Sequence, residues 1–476
     1  MTLSVFAAAR EAGDRVAVVT TDRVLTFSEL AQRVLERVAW LRSLGIDTPA
    51  GSALRPVALV ARADLASIEL LHALIALGLP VLPLHPRLTD HERAELVHTC
   101  DAMLLGDFAP ESAAGTAPPE PLPDDERCLA VVQTSGSTGR PRGVVLSRRA
   151  FAASAAASAE NLPIFASDRW LIYLPLSHVG GLSIVTRCLL ARSAVVLAPT
   201  RAGFDPGELT MAIARDEVTL LSIVPTQLVR ILELTPEWRP PPALRAVLVG
   251  GAASSPELLE RARRRGIPVL ATYGLTEACS QVATQRLDEP ALRGSVGRPL
   301  PGIEVRIVDG EIQLRGRTLL SSYHPATSSP FVEGGWLPTG DLGRLDADGA
   351  LFVVGRAREV IVTGGENVHP LEVEAALERV PGVQSACVFG IPDATWGELV
   401  AAALVPLPGA RVDAASIGAH LRDELAPFKR PRRIALVTEL PKTASGKSDR
   451  AATLKMALPL LELLELPETA ETPTPP

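Results

Sequence analysis

Cysteine is scarce in this 476-residue chain: five cysteines are scattered from Cys100 to Cys387, and none forms a C-x-x-C pair. An odd number at such spacing argues against a disulfide framework or a zinc cluster, so we expect reduced thiols that lie mostly in the core. An excess of basic residues is also lacking, since 47 basic and 54 acidic residues are mixed along the chain and give a formal charge of -7. This pattern argues against nucleic acid or an anionic membrane as a partner.

Long hydrophobic runs are missing as well. The most apolar segment, residues 70–84, is interrupted by His72, Gly78, Pro80 and Pro83 and falls short of the roughly 20 residues that a membrane-spanning helix needs. The start, MTLSVFAAAREAGDR, reaches acidic residues early and lacks a basic start followed by a sustained apolar stretch, so it does not resemble a secretory signal. We therefore expect a protein without a membrane span in a bacterial-type cytoplasm, and a homodimer is compatible with the sequence.

Short runs rich in valine and leucine alternate with helical patterns, beginning with the run 57–60, the helix 64–77 and the run 80–84. This alternation predicts an α/β fold with layered, mostly parallel sheets. Short strands with turns begin at Gly302 and predict a β-barrel-like part, in which Asp309-Gly310 suits a tight hairpin turn.

The chain is too long for a single hydrophobic core. We predict a large N-terminal domain over residues 1–357 and a compact α+β domain of about 100 residues over 358–455. The remaining 456–476 form a tail, which we expect to be partly disordered because its end is polar and rich in proline.

A loop rich in glycine and hydroxyl side chains follows the predicted strand 128–133. Its sequence, TSGSTGRPRG from Thr134 to Gly143, contains four hydroxyl side chains, three glycines and two arginines. Glycines let backbone N–H groups face an anion, and hydroxyl and guanidinium groups donate further hydrogen bonds. The spacing fits neither the Walker loop nor the Rossmann loop. The composition favours phosphate binding, with a flexible surface turn as the alternative.

This loop resembles the phosphate-binding signature of the adenylate-forming superfamily, which holds acyl- and aryl-CoA ligases, peptide-synthetase adenylation domains and luciferases. The resemblance implies a large and a small mobile domain, an acyl-adenylate made from ATP with Mg²⁺, release of pyrophosphate, and coenzyme A as co-substrate. Eight further segments match the superfamily in the same order: LTFSEL from Leu25, LPLSHVGGL from Leu174, GGAA from Gly250, YGLTE from Tyr273, SVGRP from Ser295, TGD from Thr339, GRAREVIVTGGENVHPLEVE from Gly355 and PKTASGK from Pro441.

The resemblance implies an ATP site. Arg142 stands where the superfamily usually has lysine, so function should survive with altered phosphate geometry. Thr276 would bond the α-phosphate and Glu277 would hold Mg²⁺; for Glu277 and Asp341 the alternative is a helix-cap or surface carboxylate. The other residues implied in ATP binding are Thr134, Ser135, Gly136, Ser137, Thr138 and Gly139 for phosphates, Gly250, Gly251, Ala252, Tyr273 and Gly274 for adenine, and Asp341 with Arg356 for ribose.

The resemblance also implies functions for the small domain. Lys447 would bridge the acid's carboxylate and the nucleotide during adenylation, and Arg358 occupies the hinge position, where Asp or Lys is common. The strand Gly364, Gly365, Glu366 and Asn367 would line the pantetheine tunnel, because its glycines allow close approach to the backbone. Lys429 and Arg430 could contact CoA phosphates, although a solvated basic turn is an equal alternative.

Several segments look most similar to o-succinylbenzoate-CoA ligases of menaquinone biosynthesis: VTLLSIVPTQLVRIL from Val218, LRAVLVGGAA from Leu244 and YGLTEACSQVAT from Tyr273. That resemblance places His178 as a gate beside the acyl site, Arg187 opposite a second carboxylate, and Ser222 and Gly274 next to the acid. The alternatives are a core histidine and a snorkelling surface arginine.

Other functions remain open at this level. One is an aryl-CoA ligase for anthranilate- or benzoate-type acids in secondary metabolism, and another is an enzyme that loads a carrier protein. A non-enzymatic nucleotide-binding module would not need the complete set of Lys447, Glu277, Asp341 and the phosphate loop.

Overall fold

The computed structural model describes residues 2–47, 55–106, 117–123, 125–134, 142–198, 204–325, 328–364, 366–393, 395–443 and 448–463. The chain divides into two compact units. The larger comprises Met1–Ser254, Leu258–Val305 and Leu314–Pro338, and the smaller comprises Ser255–Glu257, Arg306–Gln313 and Thr339–Pro476. The division at 357/358 stays a prediction.

The described residues contain twelve α-helices: α1 Val5–Ala12, α2 Phe27–Ser43, α3 Leu65–Leu77, α4 Asp90–Thr99, α5 Arg148–Asn161, α6 Val179–Ala191, α7 Pro206–Arg215, α8 Pro225–Leu234, α9 Pro256–Arg264, α10 Pro370–Leu377, α11 Ala414–Glu424 and α12 Arg450–Ala457. Short 3-10 helices span Thr276–Ala278, Ala357–Glu359, Pro427–Lys429 and Leu458–Leu460.

The strands are β1 Val16–Val19, β2 Val24–Thr26, β3 Val57–Val60, β4 Val81–Leu84, β5 Met103–Leu104, β6 Cys128–Thr134, β7 Arg142–Ser147, β8 Arg169–Ile172, β9 Ala194–Leu197, β10 Leu220–Ile223, β11 Ala246–Val249, β12 Val269–Leu275, β13 Ser280–Thr284, β14 Arg298–Pro299, β15 Ile303–Val308, β16 Glu311–Gly316, β17 Ser322–His324, β18 Leu337–Leu345, β19 Leu351–Arg356, β20 Ile361–Thr363, β21 Glu366–Val368, β22 Val383–Asp393, β23 Gly397–Pro406, β24 Arg433–Leu436 and β25 Glu462–Leu463.

The larger unit contains a nine-stranded and a six-stranded sheet. The first has the order β14-β13-β12-β11-β10-β8-β9-β1-β2 and is parallel from β12 to β1, and the second has the order β17-β7-β6-β4-β3-β5. Strands β9, β10 and β11 are buried along their whole length, as expected when helices cover a parallel sheet. The hydrophobic core of the first sheet includes buried residues of α7, α8 and α9.

Local sequence signals explain where α3 begins and ends. The Asp64 side chain accepts a hydrogen bond from the backbone N–H of Ser67 at 2.8 Å and caps the start. Gly78 ends the helix in the left-handed region, with φ of +71°. The predicted α/β fold class is confirmed, and the run 57–60 coincides with β3.

The segment predicted to be β-barrel-like forms a four-stranded sheet in the order β15-β16-β18-β19. Asp309 and Gly310 connect β15 to β16 with φ of +49° and +80°. Positive φ at both central residues is typical of the two-residue hairpin turn predicted there.

The smaller unit is built on the sheet β21-β20-β23-β24-β25, with β22 paired to β23. One hydrophobic core combines this sheet with α10 and α11. A second core brings β22, β23 and β24 together with α12. Strand and helix contributions on two sides of β23 give the α+β arrangement that the sequence predicts for this part of the chain.

All five cysteines are free, and all but Cys128 are buried. Burial raises the pKa of the Cys128 and Cys188 thiols to about 12, so these thiols stay protonated at neutral pH. Among the described residues, no helix is both long and apolar enough to cross a membrane.

Candidate active site

The residues predicted to bind the acid and adenine in the larger unit lie at or just after the carboxyl ends of neighbouring parallel strands. His178 comes after β8 and caps α6, and Ser222 lies in the last half of β10. Gly250 follows β11, and Tyr273 is near the end of β12. Since the carboxyl ends of parallel strands meet at one edge, this is where α/β folds bind ligands.

Two glycines are required by backbone packing at this edge. A Cβ at Gly250 would lie 2.5 Å from Thr272 Cγ2, and a Cβ at Gly274 would collide with the backbone oxygen of Ser280. Gly274 also lies at an irregularity where the antiparallel pairing of β12 and β13 shifts register. Gly251 has φ of +79°, which disfavours a side chain. Glycine is therefore required at these positions by close backbone packing and by backbone conformation.

The predicted phosphate loop lies between two paired strands. Thr134 at the end of β6 is opposite Arg142 at the start of β7, and the Thr134 hydroxyl donates to the Arg142 carbonyl at 3.4 Å. The predicted phosphate-binding residues between them, Ser135, Gly136, Ser137, Thr138 and Gly139, lie outside the described residues. A hairpin of β6 and β7 thus brings the two ends of this loop together.

Tyr323 connects the two sheets of the larger unit at the candidate site. It lies on β17, which pairs with β7, and its hydroxyl donates to Glu277 Oε1 at 3.2 Å. The Arg142 guanidinium carbon is 5.8 Å from the centre of the Tyr323 ring. Burial, and then the nearby Glu277 carboxylate, raise the pKa of Tyr323 to about 12, so its hydroxyl remains a donor at neutral pH. Arg142, Tyr323 and Glu277 therefore form a continuous set of contacts.

Two residues predicted to contact the acid are joined through Trp170. The Arg187 guanidinium carbon lies 5.6 Å from the centre of the Trp170 ring, and the Trp170 indole N–H donates to Ser222 Oγ at 3.2 Å. Arg187 is only 3% exposed, so the alternative of a snorkelling surface arginine is wrong. Among the described residues, its Nε and Nη2 have no hydrogen-bond partner.

The charge of Arg187 survives this burial. Burial lowers the pKa of Arg187 to about 10, and the nearby thiols Cys279 and Cys188 oppose that shift. The guanidinium is therefore still protonated at pH 7. A buried cation with unmet donors is costly unless an anion or a π-system faces it, and Trp170 supplies only the second.

His178 is half-buried at the start of α6, and its ring centre lies 5.9 Å from that of His85. Burial, and to a smaller extent Arg87, lower the pKa of His85. On the same helix, a Cβ at Gly181 would collide with the Pro175 carbonyl. The turn that presents His178 is therefore tightly packed against the loop that precedes it.

In the smaller unit, Asp341 and Arg356 are paired. They are opposite each other on β18 and β19, and Arg356 Nε lies 2.7 Å from Asp341 Oδ1. Asp341 is only 4% exposed, so it is not a surface carboxylate. Its backbone N–H donates to Thr339 Oγ1 at 3.1 Å. This bond holds the backbone of β18 next to Asp341.

The predicted CoA strand forms part of a short hairpin. Gly364 has φ of +59°, and a Cβ there would lie 2.7 Å from the Trp396 ring; Gly365 lies outside the described residues. Glu366 and Asn367 are exposed on β21. Lys429 Nζ forms a 2.6 Å ion pair with Glu372 Oε1. The basic side chain proposed for CoA phosphates is thus already bonded to a carboxylate.

Lys447 also lies outside the described residues. The described residues before and after it are joined by hydrogen bonds. Lys442 and Ser448 form an antiparallel bridge, and the Asp449 N–H donates to the Pro441 carbonyl at 2.8 Å. Arg450, at the start of α12, pairs with Glu374 and Glu359. Arg358, predicted as the hinge, is exposed in the 3-10 helix Ala357–Glu359.

Three residues of these clusters carry no local sequence signal: Tyr323, Trp170 and His85. Tyr323 meets Glu277 across 46 positions of sequence, and Trp170 meets Ser222 across 52. Tyrosine and tryptophan are rare in this chain, with three and five copies, and that scarcity is the one feature that could have drawn attention to Tyr323 and Trp170.

Two family models match this chain. A model of the AMP-binding enzyme family matches residues 5–106 and 103–324, and one of the AMP-binding enzyme C-terminal domain matches residues 372–447. A 2-succinylbenzoate–CoA ligase from Geobacillus kaustophilus (strain HTA426) is 35% identical and covers 94% of this chain and 96% of its own length. The 2-succinylbenzoate–CoA ligase of Enterococcus faecalis (strain ATCC 700802 / V583) is 37% identical, over 68% of each chain.

Solved structures show the same similarity. The o-succinylbenzoate CoA synthetase (MenE) of Bacillus subtilis, in complex with the acyl-adenylate intermediate OSB-AMP, superposes with a TM-score of 0.83 at 31% identity and covers 95% of this chain and 97% of its own. ATP-bound MatB from Rhodopseudomonas palustris also has a TM-score of 0.83, at 26% identity, and covers 96% and 99%. The similarity therefore extends over almost the whole chain.

Proposed function

Because this chain belongs to the AMP-binding enzyme family, we propose that it is an ATP-dependent acid-thiol ligase whose acid is o-succinylbenzoate. In the first step the carboxylate attacks the α-phosphate of ATP, forms acyl-AMP and releases pyrophosphate. In the second step the thiol of coenzyme A attacks the acyl carbon, forms the thioester and releases AMP. The relatives named for this activity cover both parts of the chain.

The residues present suit the first step. A carboxylate has a reference pKa near 4 and is already ionised at neutral pH, so it needs no general base. The obstacle is repulsion between this anion and the phosphates, which positive charge and positioning reduce. Arg142 would supply charge beside the phosphates and Thr276 a hydroxyl at the α-phosphate. Lys447 would bridge the acid and the nucleotide.

Mg²⁺ and the nucleotide fit this donor set. Glu277 offers a hard carboxylate oxygen, the ligand type that Mg²⁺ prefers, and one of its oxygens is already oriented by Tyr323. Bound Mg²⁺ would offset phosphate charge. Gly250 and Gly274 would lie beside a flat adenine next to Tyr273, and Asp341 with Arg356 would meet the ribose hydroxyls.

The observation that favours a dicarboxylate is the environment of Arg187. Its guanidinium is buried, and its Nε and Nη2 have no hydrogen-bond partner among the described residues. A carboxylate of the substrate would satisfy these donors with charge-assisted hydrogen bonds. o-Succinylbenzoate has a second carboxylate besides the one that reacts, whereas benzoate and anthranilate lack it. His178 would then close the acyl site at the other end of α6.

CoA as the acceptor is supported by the match of the GGEN segment to the family. Gly364 has a positive φ and packs closely on Trp396, so this position requires glycine, and the pantetheine arm would pass along this segment. Lys429 would meet the CoA phosphates, and Arg358 would act as the hinge between residues 1–357 and 358–455. We place the reaction in the cytoplasm, where ATP and CoA are available, and a homodimer is compatible with it.

A panel of acids tests this proposal. Pyrophosphate release is measured with o-succinylbenzoate, benzoate, anthranilate and malonate, each with and without CoA, and thioester formation is followed by mass spectrometry. We expect the highest kcat/KM with o-succinylbenzoate and a thioester only when CoA is present. A preference for benzoate or anthranilate would favour an aryl-CoA ligase. Adenylate formation without CoA thioester would favour loading of a carrier protein, and absence of pyrophosphate release with every acid would contradict ligase activity.

A further inference from the structure

Tyr323 belongs to none of the sets of residues assigned to ATP, acid or CoA, yet it touches two of the groups assigned to ATP. Its hydroxyl donates to Glu277 Oε1 at 3.2 Å, and its ring lies 5.8 Å from the Arg142 guanidinium carbon. A backbone bond strengthens the same link, because the N–H of Leu320 donates to the Glu277 carbonyl at 2.8 Å. The segment before and within β17 therefore holds Glu277 by both its backbone and its side chain.

The contacts of Tyr323 connect two parts of the larger unit that belong to different sheets. Glu277 lies in the 3-10 helix that follows β12, a strand of the nine-stranded sheet. Arg142 begins β7, a strand of the six-stranded sheet. Tyr323 is paired to β7 opposite Val144. Its side chain thus fixes the carboxylate of one sheet relative to the arginine of the other.

From this geometry we propose that Tyr323 is a positioning residue that sets the orientation of the Glu277 carboxylate for Mg²⁺. The hydroxyl engages one carboxylate oxygen and thereby restricts rotation of the group, so that the other oxygen is presented in a fixed direction. The ring acts separately, as a support for the Arg142 guanidinium through a cation–π contact. This inference rests on the proposed function, since it assumes that Glu277 contacts the metal that accompanies ATP.

Two substitutions separate the hydroxyl from the ring. Tyr323→Phe keeps the ring under Arg142 and removes only the bond to Glu277, whereas Tyr323→Leu removes both. Tyr173→Phe is the matched control, because the Tyr173 ring packs edge-on against Phe204, with 5.4 Å between the ring centres, and its hydroxyl lies beside the backbone of Asp205. Binding of a non-hydrolysable ATP analogue is measured by calorimetry over a series of Mg²⁺ concentrations, with Mn²⁺ binding followed by EPR.

For Tyr323→Phe we expect the Mg²⁺ concentration that supports half-maximal analogue binding to rise about tenfold, as loss of a hydrogen bond to a charged group can produce. The affinity at saturating Mg²⁺ and the KM for the acid should stay unchanged. Tyr323→Leu should weaken analogue binding even at saturating Mg²⁺, because the support of Arg142 is lost as well. Tyr173→Phe should have the same Mg²⁺ dependence and the same affinity for the analogue as the wild-type protein.

Comparison with Glu277→Gln distinguishes failure of this inference from failure of the proposed function. If Glu277→Gln abolishes Mg²⁺-dependent analogue binding but Tyr323→Phe has the Mg²⁺ dependence of the unchanged protein, Tyr323 does not position Glu277. A lower melting temperature of Tyr323→Phe with unaltered Mg²⁺ dependence would likewise mean that the bond serves only the fold. If Glu277→Gln itself leaves Mg²⁺-dependent binding intact, the assignment of Glu277 under the proposed function fails.

Discussion

Arg187 and Trp170 form a buried cation–π pair, with the guanidinium carbon 5.6 Å from the centre of the indole ring. The indole N–H is in turn bonded to Ser222 Oγ at 3.2 Å, so the ring cannot rotate without losing that bond. The arginine is thereby held on α6 by an aromatic face and by packing, and its Nε and Nη2 have no hydrogen-bond partner among the described residues.

Replacement of Arg187 should alter the choice of acid. We expect Arg187→Ala to raise the KM for o-succinylbenzoate by about 10- to 100-fold, which corresponds to the loss of a charge-assisted hydrogen bond. The KM for benzoate should change little, because benzoate has no second carboxylate. Steady-state kinetics with both acids at saturating ATP and CoA measure the difference.

Arg187→Lys is the matched control for charge. It keeps a cation at this position but loses the planar guanidinium, so we expect it to recover part of the affinity for o-succinylbenzoate. Equal increases in the KM of both acids for Arg187→Ala would mean that the arginine supports the fold of the pocket and does not bind the second carboxylate.

Lys447 should matter for one half-reaction and not for the other. Lys447→Ala is expected to lower the rate of acyl-adenylate formation by at least about 100-fold, because it removes the charge that offsets repulsion between carboxylate and phosphates. Thioester formation from pre-made acyl-adenylate should fall much less. The two steps are measured separately by pyrophosphate exchange and by mixing synthetic adenylate with CoA.

Lys442→Ala provides the control for Lys447, since both lysines belong to the segment PKTASGK. It should leave both half-reactions near the rates of the unchanged protein. Equal losses of Lys447→Ala in both half-reactions would refute the specific role in adenylation.

The sequence predicted local structure well and long-range contacts poorly. The run 57–60 is β3, and the residues Asp309 and Gly310 form the expected turn, because hydrophobic patterning and positive φ are local properties. Motif order identified the family, since each motif is a continuous segment.

The contacts that organise the site were not predictable from such segments. Tyr323 meets Glu277 only because β17 returns to pair with β7, and that pairing depends on the fold of the whole unit. The burial of Arg187 was left open for the same reason, since an arginine in an apolar helix can face either the core or the solvent.

Substitution of Lys429 tests whether this residue contacts CoA. Its Nζ lies 2.6 Å from Glu372 Oε1 and 5.8 Å from the centre of the Phe428 ring. If Lys429 binds a CoA phosphate, Lys429→Ala should raise the KM for CoA by about 3- to 10-fold, as expected for a partly exposed charge pair, and leave the KM for ATP unchanged.

Glu372→Gln is the companion variant for Lys429. It releases the lysine from its carboxylate, so the KM for CoA should fall or stay constant. An unchanged KM for CoA in Lys429→Ala would show that the lysine serves only the ion pair with Glu372.

Glu378 should make the stability of the protein depend on pH. Burial, and then the nearby Glu374, raise the pKa of Glu378 from an ordinary value of 4.5 to about 7. A carboxyl group whose pKa is higher in the folded state favours folding in its protonated form. The stabilising effect of the protonated group is therefore complete below pH 4.5. It decreases as the pH rises from 4.5 to 7 and is absent above pH 7.

Glu378→Gln removes this ionisation and keeps an acceptor for the backbone N–H of Ala386, which Glu378 Oε1 now bonds at 3.4 Å. We expect the variant to raise the free energy of unfolding by about 1–3 kcal/mol at pH 8 and to change it little at pH 5, measured by urea denaturation at both values. Glu439→Gln, at an exposed position, should have no effect at either pH. A gain of equal size at pH 5 and pH 8 would contradict a titrating Glu378, because only the ionised carboxylate is disfavoured by burial.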